Sequence, residues 1–425
     1  MIHYKITISV LILGCLMLSH SGISQDQSVK VYNSDSTIVG QGKLVNGSKE
    51  GLWRYYNEKG IVIEEGEYVA NKKDGKWRFY YDDGNLKAKV EYRSGTPLDY
   101  LEYYKNGYHK KKGSFENGRK NGVWTTYYEN GIRERVEQYV NGAKQGIVQV
   151  YTPNRELIIE AEYKDDTTHG VWKEYNLFRE LIVEGYYSNG LKDKVWRFYY
   201  DNGNLEEQLV YNNGLKENSY RSYFINGKVR ITGFYENDLR TGNWRFFYEN
   251  GQLMEEGSYK LGDQHGQWFS YHPNGKVESI GTFVNGLEDG LWGIFHENGS
   301  LKVEETWRLG AIWNISPYIT ESGDTLTSGT LKDGNGIKID YYPNNKIEIS
   351  CSFKDGIPHG EWKYYLSDGT LAELGQFNNG VKTGKWQFFH SNGNIESEGE
   401  FKDGEKSGLW KYYYRGGKLK EQIKH

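Results

Sequence analysis

The residues best suited to metal binding or acid–base catalysis are the ten histidines, which are scattered along the chain. His169, His265 and His359 each precede a glycine in a glycine-rich connection, and they lie far apart in sequence. Metal sites draw on paired ligands at short spacing, which these positions lack. We therefore interpret the three histidines as polar capping residues of turns and predict that the protein binds no metal ion.

Two short acidic stretches have the composition of calcium-binding loops. Residues 333–336 are Asp-Gly-Asn-Gly, and residues 201–204 are Asp-Asn-Gly-Asn. A helix–loop–helix calcium site spreads its ligands over about twelve residues and ends in a glutamate. Neither stretch continues in this way, so both are interpreted as turns.

The chain has two cysteines, Cys15 and Cys351. Once an amino-terminal leader is removed, Cys351 is the only thiol, and no intramolecular disulfide can form. The pattern places no histidine or second cysteine beside Cys351, which we interpret as a small buried packing residue. The sequence also lacks nucleophile-elbow, phosphate-loop and dinucleotide fingerprints. We predict a non-catalytic protein without cofactors, because repeats place the same residues at many positions rather than unlike residues at one.

The composition excludes several functional classes. Lysine and arginine number 53 against 57 aspartates and glutamates, so the chain has no net field that would attract nucleic acid. The mean hydropathy is −0.80, but 16% of the residues are aromatic, and disordered chains lack aromatic residues. With 53 glycines and 37 tyrosines, any core must be built mainly from rings.

A repeat of 24 residues runs through the chain and must position these side chains. Its marker is a turn glycine, found at Gly60, Gly84, Gly107, Gly131, Gly203, Gly227, Gly251, Gly275, Gly299, Gly323, Gly369, Gly393 and Gly417. Arg155, Arg179 and Asn345 fill the missing positions, which gives sixteen units. The segment Val29–Gly47 resembles a partial leading copy.

Each unit is predicted to be a β-hairpin. In residues 75–81, Trp77 and Phe79 alternate with other residues, and a second alternating run follows the marker glycine. The Asn-Gly pair between the runs favours a tight primed turn, whereas the connection to the next unit, such as Tyr259–Gly266, is expected to be longer. The fold class predicted is all-β: an elongated antiparallel meander of about sixteen 24-residue hairpins.

Two recurring positions are the predicted structural anchors of the repeat. One holds tryptophan, at Trp53, Trp77, Trp124, Trp172, Trp196, Trp244, Trp268, Trp292, Trp362, Trp386 and Trp410. The other, on the second strand, holds glycine, at Gly66, Gly113, Gly185, Gly233, Gly257, Gly281, Gly329, Gly375 and Gly399, while Ala161 and Cys351 occupy the same slot in two units. We hypothesise that the large ring covers the bare backbone of the glycine and so fixes the strand register.

The residue after tryptophan is often basic, as at Arg54, Arg78 and Arg245, and the second strand often carries glutamate, as at Glu65 and Glu256. This pattern favours a solvated face with cross-strand ion pairs over a ligand-binding stripe.

The predicted organisation has five parts. Residues 1–24 are a signal peptide, 25–47 a leading partial repeat, 48–306 a repeat array, 307–336 an irregular repeat and 337–425 a second array. Pro317 is unlikely in a central strand, so a bulge or kink is expected in the irregular repeat. Repeats near Asp99, Gly146 and Asn218 also lack the tryptophan.

The amino terminus has the pattern of an export signal, with Lys5 before the apolar run Ile6–Leu18 and cleavage expected after Ser24. We therefore expect an exported protein, located in the periplasm, at the cell surface or outside the cell. An alternative is lipidation of Cys15 within Leu13-Gly14-Cys15, and membrane attachment is expected only in that case.

The unit Gly-x-Trp-x-x-Tyr-Tyr-x-Asn-Gly-x-Leu-x-x-x-Gly-x-Tyr-x-x-Gly resembles the MORN repeat in its bacterial variant form, over about residues 36–425. The pairs His169-Gly170, His265-Gly266 and His359-Gly360 strengthen the resemblance. The resemblance implies a meander of hairpins and a scaffold, protein-binding or lipid-binding role. Many bacterial members are labelled as antitoxins, although antitoxins commonly act in the cytoplasm. The familiar unit carries glycine where this one carries tryptophan, so the lipid binding ascribed to the familiar unit is not expected of this chain.

Three functions therefore stay open at this point. The first is an exported scaffold that binds a protein partner through an extended surface. The second is an antitoxin or immunity-type protein that neutralises a toxin. The third is an envelope glycan binder that uses exposed rings.

Overall fold

The computed structural model describes residues 26–425, all of whose helical or extended elements are β-strands. The predicted signal peptide and the alternative lipidation at Cys15 lie outside the described residues. Contacts divide the chain after Thr167 into two units. The described part of the chain contains no helix with the length and apolar character required to cross a membrane.

In the first unit, nearly every strand pairs antiparallel with the next one along the chain. The strands are β1 (Asp26–Tyr32), β2 (Ile38–Val45), β3 (Ser48–Tyr56), β4 (Val62–Val69), β5 (Lys72–Tyr80), β6 (Leu86–Arg93), β7 (Thr96–Tyr103), β8 (His109–Glu116), β9 (Arg119–Tyr127), β10 (Arg133–Val140), β11 (Ala143–Lys144), β12 (Gly146–Tyr151) and β13 (Leu157–Lys164). The short β11 and β12 both pair with β10.

The second unit begins with the same arrangement. Its first series is β14 (Thr167–Tyr175), β15 (Leu181–Ser188), β16 (Leu191–Tyr199), β17 (Leu205–Asn212), β18 (Leu215–Tyr223), β19 (Val229–Glu236), β20 (Leu239–Phe247), β21 (Leu253–Lys260), β22 (Asp263–Tyr271), β23 (Val277–Val284), β24 (Leu287–Phe295), β25 (Leu301–Arg308) and β26 (Ala311–Ile315). Consecutive strands again pair antiparallel, so the hairpin repeat predicted from the sequence is confirmed.

The regular pairing stops after β26. The strands β27 (Tyr318–Ile319) and β28 (Thr325–Leu326) pair only with each other, and Pro317 lies outside both. An eight-stranded sheet then follows, made of β29 (Gly336–Tyr341), β30 (Ile347–Lys354), β31 (Ile357–Tyr365), β32 (Leu371–Asn378), β33 (Val381–Phe389), β34 (Ile395–Lys402), β35 (Glu405–Tyr413) and β36 (Leu419–Lys424).

The two kinds of connection are reversed in length relative to the prediction. The primed turn lies between hairpins, where Asn285 and Gly286 join β23 to β24 with φ values of 51° and 79°. The marker glycine lies in a longer loop, where the Gly251 N–H donates to the Tyr248 carbonyl over 2.8 Å. Positive φ at both turn positions suits asparagine and glycine, which is why this dipeptide recurs between hairpins.

The marker loops are linked to one another along the array. The side-chain amide of Asn274 donates to the Glu297 carbonyl over 2.7 Å, and the Tyr248 hydroxyl donates to the Tyr271 carbonyl over 2.7 Å. The same kind of hydrogen bond, from a side-chain amide to a carbonyl of the next marker loop, is made by Asn57, Asn106, Asn130, Asn202, Asn250, Asn298, Asn344 and Asn392. Each of these asparagines therefore joins its own loop to the loop of the next hairpin.

The predicted contact between tryptophan and glycine is confirmed, and it joins neighbouring hairpins. The backbone of Trp53 lies opposite Gly66 of its own hairpin. The ring that covers Gly66, however, belongs to Trp77 of the next hairpin, and a Cβ at Gly66 would lie 2.3 Å from Cδ2 of that ring. The same relation holds for Gly42–Trp53, Gly113–Trp124, Gly185–Trp196, Gly233–Trp244, Gly257–Trp268, Gly281–Trp292, Gly375–Trp386 and Gly399–Trp410.

A bulge and a hydrogen bond hold each ring in this position. Between the pairs Glu65–Arg78 and Glu67–Asp74, the tryptophan strand carries three residues opposite the single Gly66. The indole N–H of Trp77 then donates to the Glu67 carbonyl over 2.9 Å. Equivalent bonds of 3.0 to 3.2 Å are made by Trp53, Trp124, Trp196, Trp244, Trp268, Trp386 and Trp410.

Where the glycine slot carries a side chain, the packing changes. Leu209 and Val90 occupy the slot in two repeats, and the residues opposite them on the next hairpin are Tyr220 and Tyr100 rather than tryptophan. Gly329 also differs from the prediction, because a Cβ there would lie 2.0 Å from the Ile337 carbonyl oxygen, and backbone rather than a ring covers it. An anchor tryptophan is thus fully buried only where the slot that its ring covers holds glycine.

Gly257→Ala tests this packing, because the added methyl would lie 2.2 Å from Cδ2 of Trp268. We expect it to lower the free energy of unfolding by about 1–3 kcal/mol, the usual cost of overpacking, as measured by urea denaturation with tryptophan fluorescence. Gly416→Ala is the matched control, since a Cβ there meets nothing within 4 Å. Equal unfolding midpoints for the two variants would contradict the packing role of the glycine.

Candidate functional site

The aromatic face of the repeat is filled by its own side chains. Trp244 is 0% exposed, and its ring contacts Tyr220, Tyr235, Phe246 and Tyr259 at centroid distances of 5.2 to 6.2 Å. The contacts with Tyr235 and Tyr259 are edge-to-face, and those with Tyr220 and Phe246 are stacked, both arrangements that the ring quadrupoles favour. This face is therefore the core of the repeat.

A basic side chain covers this core at seven of the anchor tryptophans. Lys73 Nζ lies 4.2 Å from the centroid of Trp77, and Lys382 Nζ lies 4.0 Å from that of Trp386. The same contact is made by Lys49, Lys120, Lys192, Arg240 and Lys406 over their tryptophans. The Lys192 ammonium lies 4.2 Å from the centroid of Trp196, and burial lowers its pKa.

The predicted anchor residues fall into two groups. Eight tryptophans are buried, namely Trp53, Trp77, Trp124, Trp196, Trp244, Trp268, Trp386 and Trp410. Trp172, Trp292 and Trp362 are partly exposed. Trp362 lies opposite Cys351 rather than glycine, and the indole of Trp172 donates to Glu174 instead of a backbone carbonyl. The anchors thus form a packing system rather than a binding pocket.

The opposite face carries rows of paired arginine, lysine and glutamate side chains. We define the charged face by the residue that follows each tryptophan and the residues paired with it on the neighbouring strands. Glu65 accepts hydrogen bonds from Tyr80 Oη at 2.7 Å and Arg54 Nε at 3.0 Å, and Arg78 lies 3.5 Å away. Glutamates in the equivalent position, Glu184, Glu256 and Glu398, have similar partners. The predicted cross-strand ion pairs are confirmed.

These hydrogen bonds shift the titration of the charged face. The Tyr80 hydroxyl, together with the Arg54 and Arg78 guanidinium groups, outweighs burial and lowers the pKa of Glu65. Burial and the hydrogen bond to Glu184 raise the pKa of Tyr199 to about 12. Glu65 is therefore ionised and Tyr199 neutral near neutral pH.

His169, His265 and His359 lie in strands rather than in turns, because the turns between hairpins are shorter than expected. His169 nevertheless caps a turn, since its Nδ1 accepts from the Asn189 N–H at 3.4 Å. The Nδ1 atoms of His265 and His359 are buried without a partner. In the part of the chain from Asp26 to His425, no three histidine, cysteine or acidic side chains are grouped to hold a metal ion.

The most buried charges lie beside the irregular segment. Lys338 stands where other repeats have tryptophan, and its Nζ lies 2.7 Å from Glu305 and 3.1 Å from Asp340. Burial lowers the pKa of Lys338, but the two carboxylates outweigh it and raise the pKa overall. Burial also raises the pKa of the neighbouring Cys351 to about 12. Neither the ammonium nor the thiol is thus prepared to act as a nucleophile.

The fold and its two faces define a protein built from antiparallel hairpin repeats, with an aromatic core face and a charged outer face. The family model for the MORN repeat variant matches ten segments, namely residues 49–70, 73–94, 120–141, 192–213, 240–261, 264–285, 335–355, 358–379, 382–403 and 406–425. Together these segments make up more than half of the chain, which therefore belongs to the MORN repeat variant family.

Comparison with curated proteins gives no match. Among solved structures, TcdB2-TccC3-Cdc42 and TcdB2-TccC3 are aligned over 91% of this chain and 26% and 27% of theirs, at 10% identity and TM-scores of 0.13 and 0.15. The Photorhabdus luminescens Tc holotoxin pore is aligned over 90% of this chain and 26% of that chain, at 10% identity and a TM-score of 0.13. This chain thus spans about a quarter of the solved chains, and TM-scores this low carry no argument about function.

The charged face should contribute less stability in acid. The Lys385 ammonium, helped by Tyr413 and Gln387 against the effect of burial, lowers the pKa of Glu398 from 4.5 to about 2. A carboxyl group whose folded pKa is lowered contributes stability that is present above pH 4.5 and lost as the pH falls towards 2. Glu398→Gln should therefore weaken the pH dependence of the urea midpoint in this window.

The control for this prediction is Glu396→Gln, which changes an exposed carboxylate on the same strand. It should leave the pH dependence as in the parent protein. A parent-like slope in the Glu398→Gln variant would show that the contacts of Glu398 do not stabilise the folded state.

Proposed function

We propose that this protein is an exported, non-catalytic repeat scaffold that binds a protein partner through its charged face. The observation that carries the proposal is the contrast between the two faces. Trp77 and Trp244 are 0% exposed beneath rings and basic side chains, whereas Arg78 and Arg245 on the charged face are more than half exposed. The charged face is the one that remains available to a partner.

The chemistry of this face suits a protein partner better than a glycan. Glycan binding by stacking requires open ring faces, and the buried tryptophans are 0 to 3% exposed. The charged face instead presents arginine and tyrosine, which are enriched in protein interfaces. Its cross-strand ion pairs, such as Arg245–Glu256 at 3.0 Å, would hold these groups in a regular array.

A non-catalytic role is supported by the groups with shifted pKa values. Glu65, Glu184 and Glu398 have lowered pKa values in equivalent positions of separate repeats, where ion pairs and tyrosine hydroxyls hold them ionised. Catalytic sites instead bring unlike groups together at one place.

Export is supported by the sequence of the leader, with Lys5 before the apolar run Ile6–Leu18 and small residues up to Ser24. We expect the full chain, produced with its native leader, to be recovered outside the cytoplasm with Gln25 as its first residue. Fractionation followed by mass spectrometry of the amino terminus measures this. A lipidated Cys15 would replace the soluble exported form by an anchored one, and an uncleaved chain in the cytoplasm would overturn export.

Site-specific photo-crosslinking in cells tests protein binding. A benzoylphenylalanine in place of Arg78 on the charged face should give adducts of one defined mass, because that side chain is 53% exposed. The same replacement of Tyr108, which is 55% exposed in a marker loop, is the control and should give none.

The outcomes of this experiment separate the candidate functions. An adduct with a toxin, together with restored growth on co-expression, would identify an antitoxin or immunity protein. A change in tryptophan fluorescence with one member of a glycan panel, without a protein adduct, would replace the proposal by glycan binding. Identical adducts from both positions would show that the charged face is not the binding surface.

A further inference from the structure

One row of residues on the charged face lacks two of the glutamates that other hairpins carry. Read across neighbouring strands, the row is Glu184, Arg197, Gln208, Arg221, Thr232, Arg245 and Glu256, each residue paired with the next. Glutamate occupies the second-strand position in several other hairpins, as at Glu65 and Glu398, but here Gln208 and Thr232 stand in its place. The row therefore carries three arginines and only its two terminal glutamates.

The three arginines differ in their partners. Arg197 lies 2.9 Å from Glu184 and also donates to Gln208 at 3.2 Å, and Arg245 lies 3.0 Å from Glu256. Arg221 lies between them, is exposed, and has neutral residues on both neighbouring strands. Within residues 26–425, Arg221 takes part in none of the ion pairs that neutralise the other two.

A groove of about 770 Å³ lies beside Arg221 on this face. Its lining includes Arg221, Arg245, Thr232, Phe234 and Phe247, and no carboxylate. Phe234 is 51% exposed, at the position where other repeats carry Glu67 or Glu400. The groove thus joins an uncompensated guanidinium to an exposed aromatic ring.

A second groove, of about 560 Å³, has a different balance of charge. Lys76, Arg78, Lys89 and Lys112 line it, but so do Glu91 and Asp99. Asp99 also accepts from the Ser114 hydroxyl at 2.6 Å. Because this groove supplies its own carboxylates, the groove beside Arg221 is the stronger candidate for an acidic ligand.

We propose that the groove beside Arg221 binds an acidic peptide segment of the protein partner. A carboxylate of that segment takes the place of the missing glutamates and pairs with the planar guanidinium. An apolar side chain of the same segment packs on Phe234, since arginine and aromatic residues together form the centres of protein interfaces. This assignment rests on the proposed scaffold function and names its binding site.

The test uses a fluorescein-labelled peptide that combines glutamates with leucines, and fluorescence anisotropy with the intact protein. The peptide should bind the parent protein, and a peptide with glutamine in place of glutamate should not. Arg221→Gln should weaken binding roughly tenfold. Lys363→Gln, which removes a cation from the position equivalent to Arg221 in another hairpin, is the matched control and should leave binding unchanged.

Thr232→Glu is the more specific variant, because it restores the glutamate that other hairpins carry in the row. The new carboxylate should pair with Arg221, abolish peptide binding and leave the urea midpoint unchanged or higher. If Arg221 had only a structural role, a variant that keeps or raises the stability of the protein would still bind the peptide. Peptide binding by Arg221→Gln and Thr232→Glu at the parent affinity would overturn the proposal.

Polygalacturonate is the competing probe. If it binds in an Arg221-dependent way and the peptide does not, the groove recognises an acidic polysaccharide and the peptide assignment is wrong. Failure here is distinguishable from failure of the scaffold function, because crosslinking at Arg78 is measured separately and would still capture a partner held elsewhere on the charged face.

Discussion

The packing of a tryptophan ring on a bare glycine backbone is the interaction on which this fold depends. Trp268 lies over Gly257 of the preceding hairpin, and its indole N–H donates to the Ser258 carbonyl at 3.1 Å. The contact combines burial of a large ring with a hydrogen bond that holds its orientation. Because the two partners belong to different hairpins, the interaction is the coupling between neighbours that stabilises a repeat protein.

This coupling also decides which face is free. The rings, and the basic groups above them, are used within the core, so the side of the sheet that holds the arginines and glutamates is left to meet other molecules. Along that side, the balance of charge depends on departures from the repeat. Thr232 in place of glutamate changes a neutralised row into one with a free cation, without disturbing the tryptophan packing beneath it.

Much of this arrangement could be predicted from the sequence, because its signals are local or periodic. The 24-residue period, the alternation around Trp77 and the recurrence of glycine opposite tryptophan led directly to the hairpins and to their contact. The prediction placed the primed turn within each hairpin, but it lies between hairpins. Both connections contain glycine, and only the backbone angles distinguish the two turn types. The sequence predicted that a tryptophan ring covers a glycine, but not which glycine. The bulge at Gly75 directs the ring of Trp77 to Gly66 of the preceding hairpin.

The groove at Arg221 was missed for a different reason. Its components are ordinary residues that become neighbours only through the strand register, and a substitution of glutamate by Thr232 has no meaning until the pairing is known. The loop asparagines, by contrast, carried a usable signal: Asn250 and Asn274 recur with the repeat, and this spacing alone could have indicated a bonded ladder.

The direction of the tryptophan contact gives the array a polarity. Each hairpin exposes its glycine until the following hairpin supplies the ring, as Gly375 does until Trp386 is in place. An array that ended between Gly375 and Trp386 would therefore leave a bare glycine backbone on its last strand, and one that began at Trp386 would leave a tryptophan ring without its glycine. The two ends of such an array are thus not equivalent.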